Sequence, residues 1–224
     1  MLFKESIWIK SELAELLKLL PAREITLLNL GSSSEEFSSE SQPYIWENVF
    51  RPLKDQVRVV NVDIRHEPGV DLVLDFLDPG DRKELIEIKP DIILVSNLLE
   101  HLDSAVEGIK SLSMLGTPGT YIVLTGPRLF PFHPDPIDKG FRPSKRKLRA
   151  LLEKRFKILK LEIINGGSVL TCTSADKSVA YTWYRSLFKQ GFKLQEVKSI
   201  ALSTKNLCSP AFAFVCVLQI LPTD

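Results

Sequence analysis

Gly31, Asp63, Asp75 and Asn97 each stand at the end of an apolar run, the position from which a side chain or a bare backbone meets a ligand in a layered α/β fold. A glycine there lets the main chain approach closely, because no Cβ intervenes. An acid after the second run, Asp63, is suited to the two hydroxyls of a ribose, since one carboxylate accepts from both. An acid one run later, Asp75, suits the exocyclic amine of a base, with Asp71 and Asp78 close enough to compete for that role. Each residue alone also serves as a turn residue or a helix cap. Together, in this order, they outline a slot for a nucleoside.

Two further groups of residues bear on chemistry. His133 and Asp135 lie in Pro131–Pro136, where three prolines restrict the backbone. There His133 is a candidate general base and Asp135 a candidate for orienting it or binding substrate; a plain proline-rich turn is the competing reading. His66, after the second run, is a weaker candidate for stacking near a ribose or base. From Asp138 to Lys160 there are ten basic residues against two acids, a local charge of +8 in a chain whose formal total is +1, leaving −7 elsewhere. Lys145, Arg146, Lys147 and Arg149 fall at the start of a helix, where cations oppose the helix dipole. An anionic acceptor or surface explains that placement; a solvated helix face is the alternative. No RNA-reading signature accompanies the patch.

The elements that must position these residues alternate. Leu13, Leu16, Leu17 and Leu20 mark an amphipathic helix, placed over 7–20 with Ser11 as its cap and Pro21 as its stop. Strands follow at Ile25–Leu30, Val57–Ile64, Val70–Phe76, Asp91–Ser96, Tyr121–Thr125, Phe156–Ile164 and Ala211–Ile220. Helices are expected near Pro43–Leu53, over Asp81–Ile88, after an Asp103 cap with Val106, Ile109 and Leu112 inward, from Ser144, and around Ala175–Gln190. Buried strands alternating with helices predict a doubly wound, mostly parallel seven-stranded sheet, a Rossmann-like fold. The whole of 1–224 reads as one domain, with a C-terminal elaboration over 166–210.

The stretches Leu28–Ser32, Asn61–Ile64, Gly69–Asp75 and Asp91–Leu102, the last containing Ser-Asn-Leu-Leu-Glu-His-Leu, resemble successive motifs of the class I S-adenosylmethionine-dependent methyltransferases. The similarity is to small bacterial members often associated with surface-glycan metabolism. It continues through Tyr121–Thr125 and Pro131–Arg142, and covers roughly residues 25–160. The resemblance implies S-adenosylmethionine as cofactor, with Gly31 and Ser32 beneath its methionine part, Asp63 at the ribose, Ile64 among the cofactor-binding residues, Asp75 facing the adenine amine and Asn97 beside the sulfonium. Glu100 and His101 would line the site or cap the next helix. One departure stands out. Where the family carries a glycine-rich turn, this chain has Gly31 followed by Ser32, Ser33 and Ser34, then Glu35 and Glu36. A non-glycine residue at a positive φ costs about 1 kcal/mol or more. Six serines and three glutamates over Ser32–Ser41 also predict a loop without a packed face.

Composition excludes several classes. With 224 residues, 44% hydrophobic and 25% charged, the chain is neither disordered nor rich in membrane spans, since no apolar run approaches the ~18–20 residues a span needs. The three cysteines, Cys172, Cys208 and Cys216, have no metal-ligand spacing and are odd in number, so neither a disulfide framework nor a metal site is expected. With no secretory order at the N-terminus, a cytoplasmic protein is expected. The leading functional expectation is methyl transfer to an oxygen or nitrogen of a small-molecule or glycan-like acceptor, with Asn97, His133 and Asp135 as catalytic candidates. The alternative, motivated by the serine-rich turn, is a catalytically silent binding or assembly subunit, with Tyr181, Trp183, Tyr184 and Phe188 as candidate contacts. A nicotinamide oxidoreductase is disfavoured, because acids occupy the place where its phosphates would sit.

Overall fold

A computed structural model describes residues 1–131, 138–168 and 210–222. Strand β1 (Ile25–Leu30) is buried at every position and pairs in parallel with β2 (Val57–Asp63) on one side and β4 (Ile92–Ser96) on the other. This double-sided burial is why Ile-Thr-Leu-Leu-Asn-Leu shows no polar alternation. Outward from this centre lie β3 (Leu72–Val73) beyond β2, and β5 (Tyr121–Leu129), β7 (Pro210–Ile220) and β6 (Phe156–Ser168) beyond β4, giving the order β3-β2-β1-β4-β5-β7-β6. Only β7 runs against its neighbours β5 and β6. The expected mostly parallel seven-stranded sheet is therefore present.

Successive β1 residues feed opposite cores. Ile25 and Leu27 face α1 (Phe3–Leu19), which buries Ile9, Leu13 and Leu16, joined by Val49 and Leu53 from the helical turns that follow α2 (Pro43–Ile45). Leu28 and Leu30 face the other layer, where α3 (Pro79–Glu87) supplies Leu85, α4 (Ala105–Leu112) supplies Ile109 and Leu112, and α5 (Lys145–Leu152) supplies Leu148 and Leu152. Each such leucine or isoleucine stabilises the fold by roughly 1.5–3 kcal/mol. Among the described residues no helix is long and apolar enough to cross a membrane.

Several boundaries differ from expectation for local reasons. Helix α1 starts at Phe3, not near Ser11, because Glu5 Oε2 accepts the Leu2 N–H at 2.9 Å and so caps the first turn. Ser104, not Asp103, caps α4, its hydroxyl accepting from the Glu107 N–H; Asp103 instead pairs with Lys139 at 2.8 Å, and Val106 faces solvent. The third strand shrinks to two residues because the Asp71 carboxylate takes the Asn61 N–H, a side-chain substitute for the ladder. The serine-rich stretch has no buried side chain, as expected, but it is not an open loop. The Ser38 and Ser39 hydroxyls donate to the Glu35 carbonyl, and Phe37–Ser41 forms a helical turn. Strand β5 runs past Thr125 to Leu129, since β7 pairs with that extension across an irregularity between Pro127 and Leu129. The helix expected near 175–190 lies outside the described residues, as do Cys172 and Cys208; Cys216 is buried, and that burial pushes its thiol up.

The turn after β1 is the tightest junction of this frame. Gly31 has φ +70° and its N–H donates to the Val62 carbonyl at 2.8 Å; a Cβ there would come within 2.8 Å of Leu98 Cδ1. Gly31→Ala is expected to cost about 1–3 kcal/mol from the backbone and the contact together, read as a lowered urea midpoint with an unchanged m-value.

Candidate active site

The carboxyl ends of β1, β2 and β4 open onto a cavity of about 840 Å³, a size suited to a cofactor with a small acceptor. Its wall includes Gly31, Ser32, Asp63, Ile64, Asp75 and Asn97, so these sequence-predicted residues meet in one place. His133 and Asp135 lie outside the described residues, and so do Tyr181, Trp183, Tyr184 and Phe188. His66 is exposed and is not part of the wall.

The strand ends are held by the residues that follow them. Ser33 has φ +59°, the left-handed conformation that a second glycine of the turn would take without strain, and its N–H donates to Asp63 Oδ2 at 2.9 Å. Asp63 Oδ1 accepts the Arg65 N–H at 3.0 Å, with Arg65 Nε 3.6 Å away. Each oxygen of this buried carboxylate thus spends one lone pair on the backbone and keeps another for a ligand. Ile64, beside it, is 69% exposed, an apolar side chain on the cavity rim.

The three acids near β3 separate by use. Asp78 caps α3, accepting from the Gly80 and Asp81 N–H groups, and Asp71 is spent on Asn61 at the far side of β3. Neither lines the cavity. Asp75 does, with Oδ1 accepting the Leu77 N–H at 2.9 Å.

Asn97 also has a positive φ, +51°, and its N–H donates to the Thr125 carbonyl. Its amide nitrogen donates to Glu5 Oε1 at 2.8 Å. The same oxygen accepts from the Thr125 hydroxyl at 2.5 Å, while Oε2 holds the Leu2 N–H. Glu5 is completely buried, lines the cavity, and joins the first helix to the end of β4 and to Thr125 within β5. The sequence pattern does not single it out, because the apolar spacing predicts a helix over 7–20 and Glu5 precedes it. The available signal was an acid three residues after an apolar N-terminal position, a capping arrangement.

Glu100 follows on the turn Leu99–His101 and is 2% exposed. Among the described residues its Oε2 has no hydrogen-bond partner, and Oε1 lies 3.9 Å from His101 Nε2. Burial pushes the Glu100 carboxyl up to about 8, and the Glu5 charge adds to the effect; a hydrogen bond from its own backbone N–H, the N-terminal ammonium and Arg142 act in the opposite direction. Lys139 N–H donates to the Glu100 carbonyl at 2.6 Å, and Phe141 packs edge-on against Phe214 at 6.3 Å, so residues 139–141 close over this turn.

The basic segment divides. Arg142 is ion-paired with the buried Asp138, and Lys160 with Glu12 at 2.5 Å, so these cations act within the fold. Lys145, Arg146, Lys147 and Arg149 are exposed on α5, and among the described residues none of the four forms an ion pair. Helix α5 follows β5, so its first turn lies at the same sheet edge as the cavity. Among the described residues no cluster of His, Cys, Asp and Glu could hold a metal.

No family model matches the sequence, and no curated protein does. Solved structures do. A structure from Galdieria sulphuraria put forward as a sarcosine dimethylglycine methyltransferase superposes with TM-score 0.55 at 12% identity, covering 96% of this chain and 85% of the other. A SAM dependent methyltransferase from Archaeoglobus fulgidus gives TM-score 0.51 at 16% identity, covering 96% and 94%. The [4+2]-cyclase SpnF gives TM-score 0.50 at 12% identity, covering 94% and 81%. The chain has the class I S-adenosylmethionine-dependent methyltransferase fold. Such likeness shows fold, and the cyclase illustrates that fold does not set the reaction.

Glu100 makes stability depend on pH. Its carboxyl is raised in the folded state above the ordinary 4.5, so the folded protein binds the extra proton between about 4.5 and about 8. Its contribution is therefore fullest below that window and is lost as pH rises through it. Glu100→Gln is expected to raise Tm by several degrees at pH 9 and to leave it nearly unchanged at pH 4.5, in paired calorimetric scans. Removing the Glu5 charge acts on the same group: Glu5→Gln is expected to lower the titration midpoint of Glu100, followed by carboxyl NMR.

Proposed function

We propose that the chain binds S-adenosylmethionine and directs methyl transfer to an oxygen or nitrogen of a small-molecule or glycan-like acceptor. The observation that carries this reading is the meeting of Gly31, Asp63, Asp75 and Asn97 on one cavity at the carboxyl edge of the sheet. The donor set fits the cofactor. Asp63 has lone pairs left for the ribose hydroxyls, Ile64 offers an apolar surface to the adenine, and Asp75 retains Oδ2 for its amine. Ser32 and Ser33 present hydroxyls to the carboxylate of the methionine part. When bound, S-adenosylmethionine supplies a methyl group already activated by its sulfonium.

The protein's contribution is alignment and control of protons. Asn97, fixed by Glu5, borders the reacting region; His133 and Asp135 are proposed as the base and its orienting or substrate-binding partner. Lys145, Arg146, Lys147 and Arg149 favour an acceptor that carries an anionic group elsewhere in its structure. The serine-rich turn, which prompted the silent-subunit alternative, keeps the left-handed backbone at Gly31 and Ser33 and ties it to Asp63. That geometry favours a working cofactor slot.

Calorimetric titration with S-adenosylhomocysteine tests this directly. One molecule is expected to bind per chain, and Asp63→Asn to weaken it by about tenfold, the size of a lost charge-assisted hydrogen bond. An absence of binding at millimolar ligand would sink the reading.

A further inference from the structure

We infer that the acceptor enters this cavity as an ammonium, and that the Glu100 carboxyl is its counter-ion. The inference rests on the methyltransferase reading and specifies the acceptor that reading leaves open, an amine in preference to a hydroxyl.

Among the described residues three carboxyls are buried on the cavity wall, and they differ in what they lack; Asp63 has a backbone donor on each oxygen. Glu5 has donors on both oxygens, from Asn97, Thr125 and Leu2. Glu100 is almost as deeply buried, yet among the described residues its Oε2 has none. The cations around it are committed elsewhere. Arg142 is paired with Asp138, and the Met1 ammonium donates to Gln42 Oε1. The other facing ionisable groups are Glu5, from α1, and His101, on the same turn. An unpartnered carboxyl in such a place is costly unless something completes it. Burial favours its protonated form while no cation is paired with it, in keeping with its upward shift to about 8.

An ammonium supplies both missing parts, N–H donors and a compensating charge. Its arrival ionises Glu100, and the displaced proton goes to solvent. From that pair Glu100 Oε2 can then take one ammonium proton: the N–H bond breaks, an O–H bond forms, and the electron pair stays on nitrogen as the lone pair a methyl acceptor needs. A hydroxyl would supply a donor but no charge, and a carboxylate at this point would be repelled by Glu5.

Sinefungin, which carries an ammonium where the cofactor carries its sulfonium methyl, is the probe, with S-adenosylhomocysteine, whose thioether has no charge at that position, as the reference. In calorimetric titrations at pH 8 the unmodified protein is expected to prefer sinefungin by about tenfold or more, and less at pH 6, where Glu100 must give up its proton first. Glu100→Gln is expected to keep the S-adenosylhomocysteine affinity within about twofold and to lose the preference. A preference that survives in Glu100→Gln, or none in the unmodified protein at either pH, overturns the inference while leaving the cofactor slot intact. Loss of S-adenosylhomocysteine binding in the unmodified protein would overturn the cofactor reading, and this inference with it. The pH series on the unmodified protein needs no variant to fold.

Discussion

A parallel sheet brings the ends of its strands to one edge but does not fix the loops that leave them. In this protein the Glu5 carboxylate supplies much of that fixation. Leaving α1 in its first turn, it accepts from Asn97 after β4 and from Thr125 within β5 while capping its own helix through Leu2. Three elements far apart in sequence share one fully buried anion. Hydrogen bonds to an ionised acceptor are worth roughly twice neutral ones, and more where water is excluded. Displacing α1 would therefore strand several donors at once, and the cavity wall would lose its shape with its helix. The first helix is thus part of the site as well as part of the packing.

The same edge concentrates backbone strain. Ser33 and Asn97 both adopt φ values that favour glycine, and both are held by a carboxylate: Asp63 on the Ser33 N–H, and Glu5 on the Asn97 side chain. Each conformation costs about 1–3 kcal/mol and persists only where the surroundings over-determine it. The serines after Gly31 thereby take the course of a glycine-rich turn without its residues. Leu98 completes the arrangement, since its side chain fills the space that any Cβ at position 31 would need.

What was legible in the sequence follows from where each signal originates. The strand positions rested on buried apolar runs such as Ile25–Leu30 and Ile92–Ser96, which announce themselves because they are apolar on both faces. The cavity residues Gly31, Asp63, Asp75 and Asn97 were legible because they sit immediately after those runs. Position relative to a strand end is local information. Glu5 and the orphaned oxygen of Glu100 were not legible in the same way. Their roles depend on contacts across about ninety residues, and a glutamate near a helix start is ordinary as sequence. The choice among Asp71, Asp75 and Asp78 likewise needed three dimensions, because any of them suits a turn and only hydrogen-bond partners separate them.

Charge is distributed in a way that neither the net value nor the local composition conveys. The exposed cations of α5 and the buried carboxyls of Glu5 and Glu100 lie toward the same sheet edge, one set in water and the other out of it. Water screens the first set, so it acts as a diffuse field that guides an anionic group to the rim with strength that falls as salt rises. The second set is screened far less and acts over a bond length. A ligand suited to both would carry its negative charge at the periphery and its positive charge at the reacting end. The two fields then orient it before any contact is made, and only a molecule presented in that direction satisfies the interior carboxyl.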